Sequence, residues 1–224
     1  MKQCIIYDCD GVIVDSELIA ARIDSEFLTA LGFEITQEEC ARLFIGNSAN
    51  SIRDIILKKS GIHLTNVMFS ELHKKILIAF TQELKPLMEN ILTTFQTNNL
   101  TQCLASSSKK AWITHALMVT NQLQFFNSHT IFSSDHVQNV KPHPDLFLVA
   151  AERLGYQPRE CIVIEDSAAG IEAALAAKMN VIGFLGASHA QYDWYQERIK
   201  SYQIPIAYNN HELHELLRNH CFRF

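Results

Sequence analysis

Asp8 and Asp10 stand two residues apart at the end of an apolar, β-type run in IIYDCDGVIVDSE (5–17), with Gly11 directly after them. Two carboxylates at the end of a buried strand repel each other and lose hydration, so the pair requires compensation. A divalent cation would supply it, and the same pair then holds the beginnings of a phosphoryl-transfer site. Such a site needs a nucleophile, charge neutralisation, donors to the phosphoryl oxygens and a proton carrier. Asp8 can attack phosphorus to form an aspartyl-phosphate. Asp10 can protonate the leaving group and then act as base toward the hydrolytic water. Gly11 lets the backbone turn away tightly.

Three other stretches offer the remaining parts. Glu165 and Asp166 follow the apolar run CIVI, and an acidic pair at the end of a buried strand again calls for a cation. Mg²⁺, a hard cation with oxygen ligands, would bridge Asp8, an acid of this second strand end and the phosphate. Ser106, at the end of QCLAS, supplies a hydroxyl, and the helix after it begins where a phosphate oxygen is well received. One of Ser106, Ser107 and Ser108 is expected to cap that helix; Ser106, closest to the strand end, is taken as the phosphate ligand. Lys141, in NVKPHPD, brings a fixed positive charge on backbone stiffened by Pro142 and Pro144.

The elements that must position these residues follow from periodicity. A strand opens the chain at Gln3–Asp8. From about Ser16 to Leu84 the pattern is helical: SELIAARIDSEFLTALG, TQEECARLFIG with its Thr36–Glu39 capping box, SANSIRDIILKKSG and SELHKKILIAFTQEL. Asp15 reads as the N-cap of the first of these helices. After Pro86, short apolar strands alternate with helices: MENILTTFQTNN, LTQCLAS, KAWITHALMV, HTIFSS, PDLFLVAAERLG, CIVIED, SAAGIEAALAAKMN, VIGFLG, PIAYN and HELHELLRN. That alternation predicts an α/β fold, a Rossmann-like doubly wound parallel sheet covered on both faces. The first strand needs partners that lie beyond residue 86, so the core is discontinuous. Residues 1–14 and 85–224 form it, with residues 15–84 inserted as an all-helical cap. Asp8, Ser106 and Asp166 all fall at strand carboxyl ends, where open parallel sheets bind ligands.

Composition bounds the partners. The 224 residues carry 48% apolar side chains and a net charge of −5, which allow a sizeable core and argue against nucleic acid as the main partner. No run approaches the roughly 20 apolar residues of a membrane span. MKQCIIYD meets an acid too early for a signal-peptide core. A soluble, cytoplasmic monomer acting on a small phosphorylated metabolite is expected. The six cysteines, Cys4, Cys9, Cys40, Cys103, Cys161 and Cys221, lack C-x-x-C spacing and read as reduced thiols. Cys9 should point away from both neighbouring acids. His211 and His214, one turn apart, have no third ligand and read as a solvated helix face, as does Lys109.

The order D-x-D-G-V, a strand ending in Ser, K-P and E-D-S-x-x-G resembles the haloacid dehalogenase superfamily of phosphatases and phosphomutases over essentially the whole chain. The helical insertion is similar to that family's small cap. The resemblance implies that Asp8 is the nucleophile and that Asp10 is the acid/base, also binding metal through its backbone carbonyl. It further implies that Ser106 and Lys141 hold the phosphoryl group and that Asp166 ligates Mg²⁺ with Glu165 in support. Relatives resembling β-phosphoglucomutase carry a His in the first cap helix and basic residues near the second cap loop. Here those positions are Ala20, Ile45 and Ala49, so a second phosphate has no anchor and hydrolysis is expected over mutase chemistry. Dehalogenases of this fold lack the second acid that Asp10 provides, and no cap lysine suggests a phosphonate hydrolase. A non-catalytic protein that binds a phosphorylated ligand is the remaining alternative, opposed by the filled catalytic positions. The loop Phe44–Asn50 is the expected specificity loop. Gly46 allows close approach, and Asn47, Ser48 and Asn50 suit a hydroxyl-rich ligand such as a sugar or sugar-acid phosphate. Cap closure would hinge near Val14–Asp15 and Leu84–Pro86.

Overall fold

A computed structural model describes residues 3–98 and 100–220. Cys221 lies outside them. Among the described residues, six strands form one parallel sheet: Cys4–Tyr7 (β1), Thr101–Ala105 (β2), Ile131–Phe132 (β3), Cys161–Glu165 (β4), Asn180–Phe184 (β5) and Ile206–Ala207 (β6). Their order is β3-β2-β1-β4-β5-β6, with Tyr7 level with both Leu104 and Ile164. The chain moves outward from β1 in one direction and then, from β4, in the other. The switch therefore falls between β1 and β4, which places a crevice beyond their carboxyl ends.

Alternation along β1 divides the core. Cys4 and Ile6 face one layer with Cys103, Ala105 and Val163; Ile5, Tyr7 and Cys9 face the other with Leu104, Ile162 and Ile164. Cys9 thus points away from the acids beside it, as expected. The helices Asp145–Leu154 (α7), Ala168–Ala176 (α8) and Asp193–Lys200 (α9) cover the first layer. Glu89–Thr97 (α5), Lys110–Val119 (α6) and Asn210–His220 (α10) cover the second. The five described cysteines are all buried thiols. No helix among the described residues is long and apolar enough to cross a membrane.

Four helices lie between β1 and α5: Glu17–Ala30 (α1), Gln37–Phe44 (α2), Ala49–Ser60 (α3) and Asn66–Glu83 (α4). The capping box on α2 is present as read, Thr36 Oγ1 accepting from Glu39 N while Glu39 takes the Thr36 amide. Two readings are corrected. The α4 helix starts four residues earlier than Ser70, because the Thr65 hydroxyl caps Met68 N. Asp15 is not the cap of α1: its Oδ1 accepts from Ser188 N and Oγ at 3.0 and 2.7 Å, and Ser16 occupies the cap position. The chain entering and leaving the helical segment runs as a pair, with Asp15 N donating to Lys85 O and Leu87 N to Ile13 O. The helical segment also rests on the sheet domain, Arg42 of α2 lying 4.9 Å over the Trp194 ring of α9.

Candidate active site

Each acid is placed by its strand end. Asp8 follows β1 directly and stays in the ladder through its amide, which donates to Ile164 O at 3.0 Å. Glu165 closes β4 and Asp166 follows it, both essentially without exposure. Lys141 Nζ reaches in from the loop before α7 and stands 2.6 Å from both Asp8 Oδ1 and Glu165 Oε1. The other Glu165 oxygen accepts from Ser167 N at 2.7 Å and Ser167 Oγ at 3.0 Å. Asp166 differs. Its Oδ2 has Tyr195 Oη at 3.4 Å and His189 Nε2 at 2.9 Å, the latter out of hydrogen-bond alignment. Its Oδ1 is buried with no partner.

Carboxylate oxygens of Asp8, Glu165 and Asp166 come within 4.8 Å of one another. One ammonium among three carboxylates leaves a deficit of positive charge, and one oxygen of Asp166 is left without a hydrogen-bond partner. The donor set, all hard oxygens, fits a divalent cation.

Asp10 lies just beyond this cluster and is held separately. Its Oδ1 accepts from Ser16 Oγ at 2.8 Å and Trp112 Nε1 at 3.4 Å, its Oδ2 from Ser108 Oγ at 2.8 Å. Three donors from three elements fix the carboxylate at the mouth of the cavity between α1 and α6. Gly11, at φ +78°, makes this possible: a Cβ there would stand 2.1 Å from Asp166 Oδ2. Ser106 is buried at the end of β2, and its hydroxyl accepts from Ser108 N at 3.1 Å. None of the three serines caps α6 by its side chain; Asp135 Oδ2 takes the Lys110 amide instead, at 3.0 Å.

The family model described as haloacid dehalogenase-like hydrolase matches residues 5–184. The chain belongs to this family. A haloacid dehalogenase-like protein of unknown function from Agrobacterium tumefaciens superposes with a TM-score of 0.84 at 30% identity, covering 98% of this chain and 99% of its own. The 6-phosphogluconate phosphatase of Escherichia coli K12 is 27% identical over 188 residues, 84% of each chain. Hexitol phosphatase B of the same strain is 27% identical over 192 residues, 84% of this chain and 85% of its own.

In this hydrolase the E-D-S-x-x-G stretch has a steric reason for its last residue. A Cβ at Gly170 would stand 1.7 Å from Glu165 Oε1, the oxygen bonded to Lys141. Gly170→Ala is therefore expected to displace Glu165 and cost about 1–3 kcal/mol in urea unfolding. Gly32→Ala controls for the added methyl, since nothing lies within 4 Å of it, although its φ of +91° adds backbone strain.

Electrostatics follow burial. Desolvation raises Asp8 well above the usual carboxylate range; Lys141 opposes the shift, and Glu165, Asp166 and Asp10 add to it. Glu165 rises for the same leading reason. Burial pulls Lys141 down, but Asp8 and Glu165 outweigh it and hold the ammonium above its ordinary value. Burial, then Asp10 and Asp8, keep the Cys9 thiol protonated, as befits a packed side chain. Asp24 on α1 is also buried, and desolvation alone pushes it up to about 7. Its folded pKa exceeds the unfolded one, so the folded state loses stability as pH rises from about 4 through about 7. Asp24→Asn should consequently be neutral at pH 4 and stabilising at pH 8, by up to about 4 kcal/mol; unfolding midpoints at the two pH values check this.

Ser16, Ser108, Trp112, Ser167, His189 and Tyr195 escaped the sequence reading as site residues. Two of them carried a signal, Ser108 as part of the serine run and Ser167 as the serine of E-D-S-x-x-G. In the loop after α2, Gly46 at φ +77° sits over Ser167, with 3.4 Å between its would-be Cβ and the Ser167 Cβ. Asn47 Nδ2 turns back to Leu43 O, and Ser48 caps α3. Gly46 and Asn47 face the cavity beside Asp10, whereas Asn50 lines neither that cavity nor the one beside Lys141. His211 and His214 lie on α10, away from the acidic cluster.

Proposed function

We propose that this hydrolase is a Mg²⁺-dependent phosphatase that cleaves a small phosphomonoester, a sugar or sugar-acid phosphate, through an aspartyl-phosphate on Asp8. The observation that carries the reading is the cluster itself: three buried carboxylates, one ammonium and an unpartnered Asp166 oxygen at the switch point of a parallel sheet. Asp8, Asp166 and the Asp10 backbone carbonyl would hold the metal, with Glu165 anchoring Lys141 beside them. When bound, the cation neutralises charge on the phosphoryl oxygens and on the attacking carboxylate. Lys141 and Ser106 would hold the phosphoryl group.

Asp10 acts as general acid toward the leaving oxygen and then as base toward water. Its three donors hold it in place for both steps. Residues 15–84 serve as a cap on a core of 1–14 and 85–224, and Gly46 lets the cap loop close on the Ser167 turn. The relatives named for 6-phosphogluconate and hexitol phosphates support the sugar-phosphate class. No Lys or Arg lines the cavity beside Asp10, among the described residues, which favours hydrolysis over mutase chemistry because a second phosphate finds no anchor.

Hydrolysis of para-nitrophenyl phosphate by the purified protein, with Mg²⁺ and with EDTA, tests the reading. Turnover should require the metal. Equal turnover in EDTA, or none in either condition, overturns it.

A further inference from the structure

The cavity that Asp10 opens into continues beneath α1, where Glu17, Ala20, Ala21 and Asp24 line it from one helical face. His73 of α4 and Trp112 of α6 stand across from them, their rings 5.6 Å apart. The rest of the wall is mostly apolar. Asp24 is 9% exposed, and its carboxylate has no hydrogen bond or ion pair to any described residue. Burial makes this carboxyl costly to ionise, and a hydroxyl donor brought by a ligand would offset that cost.

No Lys or Arg lines the cavity around it, among the described residues. Glu17 and Asp10 share the cavity, and burial followed by Asp10 raises Glu17 well above the usual range. Burial, then Arg53 and Lys109, lowers His73 and keeps the imidazole neutral. Those two cations do not line the cavity: Arg53 lies 4.2 Å over the Phe69 ring and donates to Asn66, while Lys109 is exposed. A ligand carboxylate here would lose its hydration with no cation in the wall to replace it. Hydroxyl groups, by contrast, supply what Asp24 lacks.

We propose that Asp24 is a specificity-determining residue that accepts hydroxyl hydrogen bonds from an uncharged polyol or sugar leaving group, so that neutral sugar and polyol phosphates are taken and sugar-acid phosphates are turned away. The proposal rests on the phosphatase reading for the leaving-group role, but the binding it predicts needs no turnover.

The test is calorimetric titration of Asp8→Asn at pH 8, above the value to which burial pushes Asp24, in Mg²⁺, with sorbitol 6-phosphate and with 6-phosphogluconate. The two ligands have the same carbon chain and differ by a terminal hydroxymethyl against a carboxylate. The hydroxymethyl ligand should bind at least about 10-fold more tightly, the worth of one charge-assisted hydrogen bond. Adding Asp24→Asn, an isosteric change that leaves the cavity wall in place, should shrink that ratio to under about 3-fold. Equal or tighter binding of 6-phosphogluconate by Asp8→Asn, or a ratio that Asp24→Asn leaves unchanged, overturns the proposal. Wild-type hydrolysis of para-nitrophenyl phosphate is run alongside. Turnover without the binding ratio removes the role of Asp24 alone; the binding ratio without turnover removes the phosphatase reading alone.

Discussion

Asp8→Asn is expected to lower Mg²⁺-dependent turnover of para-nitrophenyl phosphate on the order of 10⁴-fold or more, the scale of removing a covalent nucleophile. An amide of the same shape cannot form the acyl-phosphate, and it brings the metal one charge fewer. The same substitution should not weaken the fold. Burial raises the Asp8 pKa against the pull of Lys141, with Glu165, Asp166 and Asp10 pushing the same way as burial. The folded, metal-free protein therefore binds a proton more tightly at Asp8 than the unfolded chain does. Its stability falls as pH climbs from about 4 through the raised value, and the whole penalty is present above it. Asparagine has no proton to lose. In EDTA the variant should match wild type in urea unfolding at pH 4 and exceed it at pH 8. A variant that loses activity and stability together at pH 8 would make Asp8 a structural residue, and the nucleophile would have to be sought elsewhere.

Much of this geometry is legible in the sequence because it is written in local rules. Alternating apolar residues in β1, β2 and β4 settle which side chains face which layer, and each acid or serine after the last strand residue must emerge at the carboxyl edge. Gly11 and Gly170 are legible as motif letters, but their reason is spatial: the space their side chains would fill belongs to Asp166 and Glu165. What escapes is set by the partner across a gap in sequence. Asp15 has the type and place of a helix cap, yet Ser188, 173 residues away, claims its oxygen. Ser108 and Trp112 meet Asp10 only because β2 lies beside β1. The α9 helix is absent from the pattern since DWYQERIK buries only Tyr195 and Ile199, too few apolar positions to show a period. Asp24 hides for the opposite reason, a single acid within an otherwise ordinary amphipathic helix.

Lys141→Met should strongly destabilise the metal-free fold. The ammonium has 5% side-chain exposure, and it stands 2.6 Å from one oxygen each of Asp8 and Glu165. Methionine keeps an unbranched stem against Phe147, whose ring lies 4.7 Å from Nζ, so packing is largely retained while the charge is lost. Removing one partner of a buried ionic cluster costs about 3–5 kcal/mol, because the groups left behind remain buried and uncompensated. The pH dependence identifies the cause. Lys141 is held above its ordinary pKa by Asp8 and Glu165, so its charge is constant across pH 5–9 in wild type. Any change in the deficit over that range therefore comes from the carboxylates. Protons can replace the ammonium on Asp8 and Glu165, and the deficit should shrink steadily as pH falls. Mg²⁺ should also recover part of it by mass action, about 2.7 kcal/mol at a hundredfold excess over its dissociation constant. If Lys141 holds the phosphoryl group as proposed, turnover with saturating Mg²⁺ should still fall about 10²–10³-fold, the scale of losing a fixed positive charge there. Urea unfolding at pH 5 and 8, with and without Mg²⁺, separates the terms: a deficit indifferent to both would trace to lost packing, and Lys141 would then not be the counter-charge that holds three acids together at the switch point.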